Sequence, residues 1–145
     1  MARSPKFRFA LVASLFNREY TDALLSSAQL ALKDHDVAVV RVPGAFEIPL
    51  QVQRLVKTKR YAAVIALGLV WQGKTAHAQE ILRAVTDALM RISLENDVPV
   101  IHQVLAVSND AEAKARCMGM KLNRGIEGAQ AALALALAER AKRKD

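Results

Sequence analysis

The chain reads Ala62-Ala63-Val64-Ile65-Ala66-Leu67, an unbroken apolar run, and then Gly68-Leu69-Val70-Trp71-Gln72-Gly73-Lys74-Thr75-Ala76-His77, a glycine-bounded segment with polar side chains. A short apolar run bounded by turn residues predicts a strand that is buried on both faces. We place this strand at Tyr61–Leu69. The segment behind it carries an ammonium, a hydroxyl and an imidazole, so it is the first candidate for a functional site.

The rest of the chain alternates between strand and helix patterns. Three further apolar runs predict strands at Phe7–Ala13, Val37–Val42 and Val98–Leu105. The predicted helices are one capped by Thr21 or Asp22, Glu47–Lys57 with Pro49 in its first turn, one from Ile81 to Ile92, one capped by Asn109 or Asp110, and Ile126–Ala141. Buried strands joined by helices predict an α/β fold with a parallel sheet covered on both faces.

Length and composition predict a single soluble domain, 1–145. Hydrophobic residues make up 52% of the 145 residues, but charged residues interrupt every long apolar run, so we expect no membrane partner. The first residues lack the cleavage signature of a secretory signal, and Cys117 has no second cysteine for an intramolecular disulfide. Both features favour a cytoplasmic protein.

The net charge of +7 is concentrated in good part in the two basic tails. A nucleic-acid surface would combine a basic stripe with aromatic side chains, and only 5% of the residues are aromatic. We therefore expect no nucleic-acid partner. The charge is better suited to steering small anionic substrates toward the protein.

The segment Gly68–Thr75 also satisfies G-x-x-x-x-G-K-[ST], the phosphate-binding loop pattern of nucleotide hydrolases. However, Leu69 to Gln72 are bulky and extend the strand, whereas a nucleotide loop needs small residues whose N–H groups turn toward phosphate. No later apolar strand ends directly in an aspartate that would hold Mg²⁺. We interpret the match as accidental and keep a phosphohydrolase as a third hypothesis.

The candidate residues cluster where the predicted strands end. Ligands of an open parallel sheet bind outside the carboxyl ends of its strands. The segments at these ends are Ser14–Asn17, Pro43–Glu47, Leu69–His77 and Ala106–Asn109. His35 lies outside them, in a polar turn, and is interpreted as solvated.

Each candidate also has a purely structural interpretation. For Phe16 we favour core packing, and Glu47 is equally suited to interact with a helix dipole. Lys74 and Thr75 would fit a solvent-facing turn. His77 is the best candidate for acid/base chemistry, because imidazole titrates near neutral pH.

Five ordered segments resemble the lumazine synthase (6,7-dimethyl-8-ribityllumazine synthase) family. They are Val42–Pro49, Tyr61–Gly68, Gly73-x-Thr75-x-His77, Val98–Ile101 and Asn123–Gly125, and they span nearly the whole chain. The resemblance implies a flavodoxin-like three-layer α/β/α sandwich with a four-stranded parallel sheet. It also implies a homopentamer, or a multiple of it, with active sites between neighbouring subunits.

The resemblance implies a transferase of riboflavin biosynthesis that joins 5-amino-6-(D-ribitylamino)uracil to 3,4-dihydroxy-2-butanone 4-phosphate. Phosphate and water are released, and no metal or organic cofactor takes part. An amine condenses with a ketone, phosphate is eliminated, and the second nitrogen closes the ring. Such a site must move protons and hold an anion.

The resemblance assigns a role to each matching position, with His77 as the proton shuttle. The pyrimidine would stack on Phe16, beside Asn17, and meet backbone groups of Val70 and Trp71. The remaining substrate-binding positions are Ala45, Phe46 and Glu47 for the ribityl chain, Lys74, Thr75 and Arg116 for phosphate, Arg124 near that end, and His102 lent by the neighbouring subunit.

Several positions depart from the family pattern. Ala76, Ala78 and Gln79 stand where proline, an aromatic residue and an acid are usual, His102 replaces an aromatic residue, and Trp71 replaces a smaller aliphatic one. These departures motivate a second hypothesis, in which the chain is a non-catalytic paralogue that binds a flavin or lumazine or serves in assembly.

Overall fold

The structure, a computed structural model, describes residues 4–144. Its elements are β1 (Arg8–Ser14), α1 (Arg18–Ala31), β2 (Asp36–Val42), a 3-10 turn (Ala45–Glu47), α2 (Ile48–Lys57), β3 (Ala63–Trp71), α3 (His77–Asn96), β4 (Val100–Val107), α4 (Asp110–Cys117) and α5 (Arg124–Lys144). Over this described range, each helix is too short or too polar to cross a membrane.

The strands form one parallel sheet in the order β2-β1-β3-β4. The two central strands, β1 and β3, are in register at Leu11 and Ile65, and both of these side chains are fully buried. This arrangement confirms the α/β prediction and the flavodoxin-like three-layer sandwich. The strand ends lie within two residues of their predicted positions.

Two hydrophobic clusters lie on opposite faces of the sheet, because successive side chains of a strand point to opposite faces. On one face Leu11 packs in a cluster with Leu24 and with residues of α4 and α5. On the other face Val12 packs in a cluster with Val52 of α2 and Leu89 of α3. Fully burying one such side chain is worth roughly 1.5–3 kcal/mol, so these clusters dominate the stability of the fold.

The start of α1 differs from the prediction. The helix begins at Arg18, after Asn17 in a left-handed conformation with φ 61° and ψ 46°. The two predicted caps, Thr21 and Asp22, accept hydrogen bonds from Arg41 of β2 at 3.3 and 2.7 Å. The bond from Arg41 holds the pKa of Asp22 below its usual value. These polar side chains therefore bridge α1 and β2 instead of capping the helix.

The interpretation of His35 as a solvated turn residue is wrong. Its Nδ1 accepts a hydrogen bond from the Phe7 backbone N–H at 3.0 Å. The imidazole also stacks on the Phe7 ring and meets the Phe9 ring edge-on, with centroids 5.7 and 5.5 Å apart. His35 therefore fastens the start of β1 at the amino edge of the sheet.

Candidate active site

A cavity of about 470 Å³ lies at the carboxyl edge of the sheet. Its lining residues come from every segment that follows β1, β2 and β3, and they are Phe16, Asn17, Gly44, Ala45, Phe46, Glu47, Leu69, Val70, Trp71, Gly73, Thr75, His77, Ala78 and Ile81. The segments selected by the carboxyl-edge rule therefore meet at one cavity. Most of the candidate residues lie together in this one cavity.

Sequence reasoning missed some of the lining residues. Ala78 and Ile81 both belong to α3, and Ile81 lies four residues after His77, on the same face of the helix. Helical spacing from His77 would have found Ile81. Gly44 also lines the cavity, and a Cβ there would lie 3.1 Å from Glu47 Oε1.

Phe16 is presented to solvent at the rim of the cavity. Its side chain is 71% exposed, so the core-packing interpretation is wrong. The backbone of this segment is fixed, because the N–H groups of Leu15 and Phe16 donate to the carbonyls of Val42 and Pro43 at 2.8 and 2.9 Å. A rigid, exposed ring is suited to stacking on a planar ligand.

The 3-10 turn after β2 brings Phe46 and Glu47 to the lining of the cavity. Phe46 is 64% exposed. Glu47 immediately precedes α2, but within the described residues its carboxylate makes no capping hydrogen bond to that helix. The carboxylate oxygens are therefore able to accept hydrogen bonds from a ligand.

The amino end of α3 faces the cavity. The residue before this 20-residue helix is Ala76, whose side chain has no oxygen with which to cap the first N–H groups. Uncapped N–H groups and the helix dipole favour an anion at such an end. Thr75 and His77 line the cavity at this point, whereas Lys74 lies in the same exposed turn just outside the lining.

Beneath the cavity, Gly68 allows close packing between β1, β3 and α2. A Cβ at this position would lie 3.2 Å from both Ser14 Oγ and Ile48 Cδ1. The Ser14 hydroxyl is itself buried and has no hydrogen-bond partner among residues 4–144. β3 continues past Gly68 to Trp71, which pairs with Val107. This continuous pairing supports the interpretation that the nucleotide-loop pattern is accidental.

Three candidate residues lie away from the cavity within one chain. Among the described residues, His102, Arg116 and Arg124 are absent from its lining. Arg116 pairs with Glu112 at 3.2 Å and Arg124 with Glu127 at 2.8 Å. One copy of the chain therefore brings together the Phe16 ring, the Glu47 carboxylate and His77, but neither arginine.

The imidazole of His102 has partners within its own chain. Its Nδ1 accepts the Val104 backbone N–H at 3.1 Å, which leaves the proton on Nε2, 2.7 Å from Thr86 Oγ1. Burial lowers the pKa of His102 below its ordinary value. The ring is therefore held neutral on β4, at the edge of the sheet.

A larger groove of about 820 Å³ lies at the opposite, amino edge of the sheet. It is lined by basic residues such as Arg60 and Arg140, near the carboxyl ends of α3 and α5. Helix carboxyl ends attract cations, and Lys59 Nζ donates to the Asn96 carbonyl at 2.9 Å. None of the candidate residues predicted from the sequence lines this groove, so the smaller cavity is the better candidate site.

The structure defines a flavodoxin-like α/β protein with a cavity at the carboxyl edge of its sheet. The profile of the family described as 6,7-dimethyl-8-ribityllumazine synthase matches residues 6–140. The chain belongs to this family, whose members are transferases of riboflavin biosynthesis.

Individual relatives agree with the family match. The 6,7-dimethyl-8-ribityllumazine synthase of Xanthomonas oryzae pv. oryzae (strain PXO99A) is 39% identical over 138 residues, which cover 92% of this chain and 90% of the relative. The enzymes of the same name from Xanthomonas campestris pv. campestris (strain B100) and Stenotrophomonas maltophilia (strain R551-3) are 41% and 40% identical, over 88% and 87% of this chain and 86% and 84% of the relatives. The family match over residues 6–140 includes every residue that lines the cavity.

Proposed function

We propose that the chain is a 6,7-dimethyl-8-ribityllumazine synthase that condenses 5-amino-6-(D-ribitylamino)uracil with 3,4-dihydroxy-2-butanone 4-phosphate at the carboxyl-edge cavity. The observation that carries this proposal is the convergence of Phe16, Glu47, Thr75 and His77 on one cavity of about 470 Å³. These side chains come from separate segments, and each suits a different part of the two substrates.

The ribitylaminouracil is proposed to occupy the side between the β1 end and the 3-10 turn. Its planar ring stacks on Phe16, and the backbone groups at Val70 and Trp71 meet its polar edge. The Glu47 carboxylate accepts hydrogen bonds from ribityl hydroxyls, beside the backbone of Ala45 and Phe46. The exposed rings of Phe16 and Phe46 in the cavity lining support this placement of a planar ligand.

The phosphate is proposed to bind at the amino end of α3. The helix dipole favours the anion, Thr75 offers a hydroxyl, and Lys74 adds positive charge. His77, the first residue of α3, is then next to the carbon chain that loses the phosphate. Its imidazole would relay protons during imine formation and elimination, because one ring nitrogen can accept a proton while the other donates one.

A second copy of the chain is proposed to complete the site, in a homopentamer or a multiple of it. His102, Arg116 and Arg124 lie outside the cavity lining of their own chain, as far as residues 4–144 are concerned. Between the two arginines, Met120 and Leu122 are 84% and 57% exposed, which is typical of a surface that another subunit covers. A guanidinium from that copy would clamp the phosphate with two hydrogen bonds.

The experiment follows product formation from both substrates by its lumazine absorbance and compares His77→Ala with the wild type. General acid/base catalysis contributes about 10²-fold or more, so the variant should lose on the order of 100-fold in kcat. It should still exceed the uncatalysed rate, because the substrates remain positioned. A matched control is His35→Ala at the amino edge, which should keep kcat. A wild-type rate equal to that of the uncatalysed condensation would overturn the proposal.

One alternative is a non-catalytic member that binds a flavin or lumazine. It is favoured by Gln79, which cannot stabilise an imidazolium as an acid would, and by the neutral, internally bonded His102. Calorimetry with riboflavin separates the two functions. Tight flavin binding by a protein without turnover would support this alternative.

A further inference from the structure

The indole of Trp71 is hydrogen-bonded to the segment that carries Phe16. Its Nε1–H donates to Asn17 Oδ1 at 2.9 Å, and Asn17 Nδ2 donates to the Leu69 carbonyl at 2.7 Å. Both polar atoms of the Asn17 amide are thereby used by the end of β3. The side chain of Asn17 thus connects the β1–α1 segment to β3 across the rim of the cavity.

Asn17 precedes α1, but its side chain bonds to residues of β3 at the cavity and not to the helix. An asparagine before a helix normally caps it, which is worth about 1 kcal/mol. In the described structure the Asn17 side chain makes no capping bond to α1, and its backbone is left-handed with φ 61°. Left-handed residues that are not glycine persist when surrounding contacts hold them, and they concentrate at functional sites.

The indole is itself held from a second direction. The ring of Tyr20 meets it edge-on, with centroids 5.5 Å apart and an interplanar angle of 82°. The Tyr20 hydroxyl in turn bonds to the Asp110 carboxylate at the start of α4. Trp71 therefore has a fixed orientation although 37% of its surface is exposed.

We propose that Trp71 is a positioning residue that acts through Asn17 to fix the Phe16 ring for stacking on the pyrimidine substrate. This inference rests on the proposed function for the identity of the ligand. The backbone of Leu15 and Phe16 is fastened to the β2 end. The Trp71–Asn17 bond fastens the following residue to the β3 end, so the aromatic ring sits between two anchored points.

The discriminating variant is Trp71→Phe, which keeps an aromatic ring beside Tyr20 and removes only the N–H donor and part of the surface. Losing a single neutral hydrogen bond changes a binding constant by about threefold to tenfold, so KM for the ribitylaminouracil should rise by about that factor. kcat and KM for the butanone phosphate should stay near wild type, because the phosphate is held elsewhere. An unchanged KM for the uracil, or an equal rise in both KM values, would overturn the proposal.

Tyr20→Phe is the matched control. It removes the hydroxyl bond to Asp110 on the far side of the indole and leaves the bond between Trp71 and Asn17 in place. Its KM for the uracil should remain at the wild-type value. A rise as large as that of Trp71→Phe would mean that general loosening of this region explains the effect, and would contradict a specific role for the indole N–H.

Two readouts remain informative without turnover. Amide hydrogen exchange of residues 15–18 should be faster in Trp71→Phe than in the wild type or Tyr20→Phe, and equal exchange would contradict the positioning role.

Trp71 is the only tryptophan of the chain, so its fluorescence reports uracil binding directly in the wild type. Calorimetry then gives the same threefold to tenfold ratio of Kd values, about what one hydrogen bond contributes. If the Kd values of Trp71→Phe and wild type show this ratio but the wild type forms no product, the proposed function is contradicted and the positioning role is kept. If the wild type does not bind the uracil, both are overturned.

Discussion

Replacing Asn123 by alanine should destabilise the protein far more than a surface cap substitution. Asn123 lies in the loop before α5 and is only 3% exposed. Its Oδ1 accepts the Ile126 N–H at 3.0 Å, which caps α5. Its Nδ2 donates to the Gly119 carbonyl at 2.9 Å and to Ser27 Oγ at 3.0 Å, with a longer contact to the Cys117 carbonyl at 3.3 Å. One amide thus ties together α1, α4 and α5.

The expected cost follows from these bonds. Losing the cap costs about 1 kcal/mol. Each of the two short bonds donated by Nδ2 adds about 1 kcal/mol, because its partly buried partner loses a donor. Asn123→Ala should therefore lower the free energy of unfolding by about 3 kcal/mol. Urea unfolding followed by circular dichroism at constant protein concentration measures this directly.

Asn109→Ala supplies the control for this measurement. Asn109 caps α4, as predicted from the sequence, and its side chain accepts one bond from Glu112 N–H at 2.8 Å on the exposed surface. Its loss should cost about 1 kcal/mol. Equal costs for Asn123→Ala and Asn109→Ala would refute the reasoning that buried, shared hydrogen bonds make the difference.

Three further predictions concern packing and titration. Gly68→Ala should cost about 1–3 kcal/mol in a urea titration because the new Cβ would lie 3.2 Å from Ile48 Cδ1, and an unchanged midpoint would contradict this packing. Burial holds the pKa of His102 in the folded protein below 6.5. As the pH drops from 6.5 toward that folded-state pKa, the unfolded chain binds the proton before the folded chain does, so the free energy of unfolding of the wild type should fall. His102→Phe should remove this contribution to the pH dependence of the free energy of unfolding. If the free energies of unfolding of wild type and variant differed by the same amount at every pH, the assignment to His102 would be contradicted. Burial raises the pKa of the Cys117 thiol to about 11. A thiol reagent at mildly alkaline pH should therefore label Cys117 only as fast as the chain unfolds, and rapid labelling of the folded protein would contradict this burial.

The sheet and its layers were predictable because they depend on local apolar periodicity. β1 and β3 are buried almost throughout, and such strands read as continuous apolar runs in the sequence. Cap chemistry at Asn109 and the tolerance of Pro49 in the first turn of α2 were also predicted correctly, because both act within one helical turn.

The failures involve contacts between residues far apart in sequence. Thr21 and Asp22 were expected to cap α1, but Arg41 binds both side chains. His35 was expected in solvent, but it bonds to Phe7, which lies 28 residues earlier. Phe16 was expected in the core and is exposed at the cavity. No local pattern encodes these pairings, because the sheet brings the partners together only in the folded chain.

The position of the candidate site in the fold was predictable from the sequence, but the full set of residues that one chain brings to it was not. The carboxyl-edge rule selected segments that meet at one cavity, and helical spacing from His77 would have added Ile81 to its lining. The sequence does not show which chain contributes a residue to which cavity. Arg116 and Arg124 were expected near the phosphate end of the site, but within one chain each pairs with a glutamate of its own helix.

The most direct test of a catalytic site made by two copies of the chain is complementation between inactive variants. One variant carries Phe16→Ala with His77→Ala in the cavity, and the other carries Arg116→Ala. When equal amounts are unfolded and reassembled together, about a quarter of the sites in a cyclic oligomer should combine an intact cavity with an intact arginine, and lumazine formation should recover to about that fraction of wild type. A mixture of separate Phe16→Ala and His77→Ala chains should show no such recovery, because each cavity draws both residues from one chain. Failure of the Arg116→Ala mixture to exceed the sum of its components, although mixed oligomers form, would contradict the shared site.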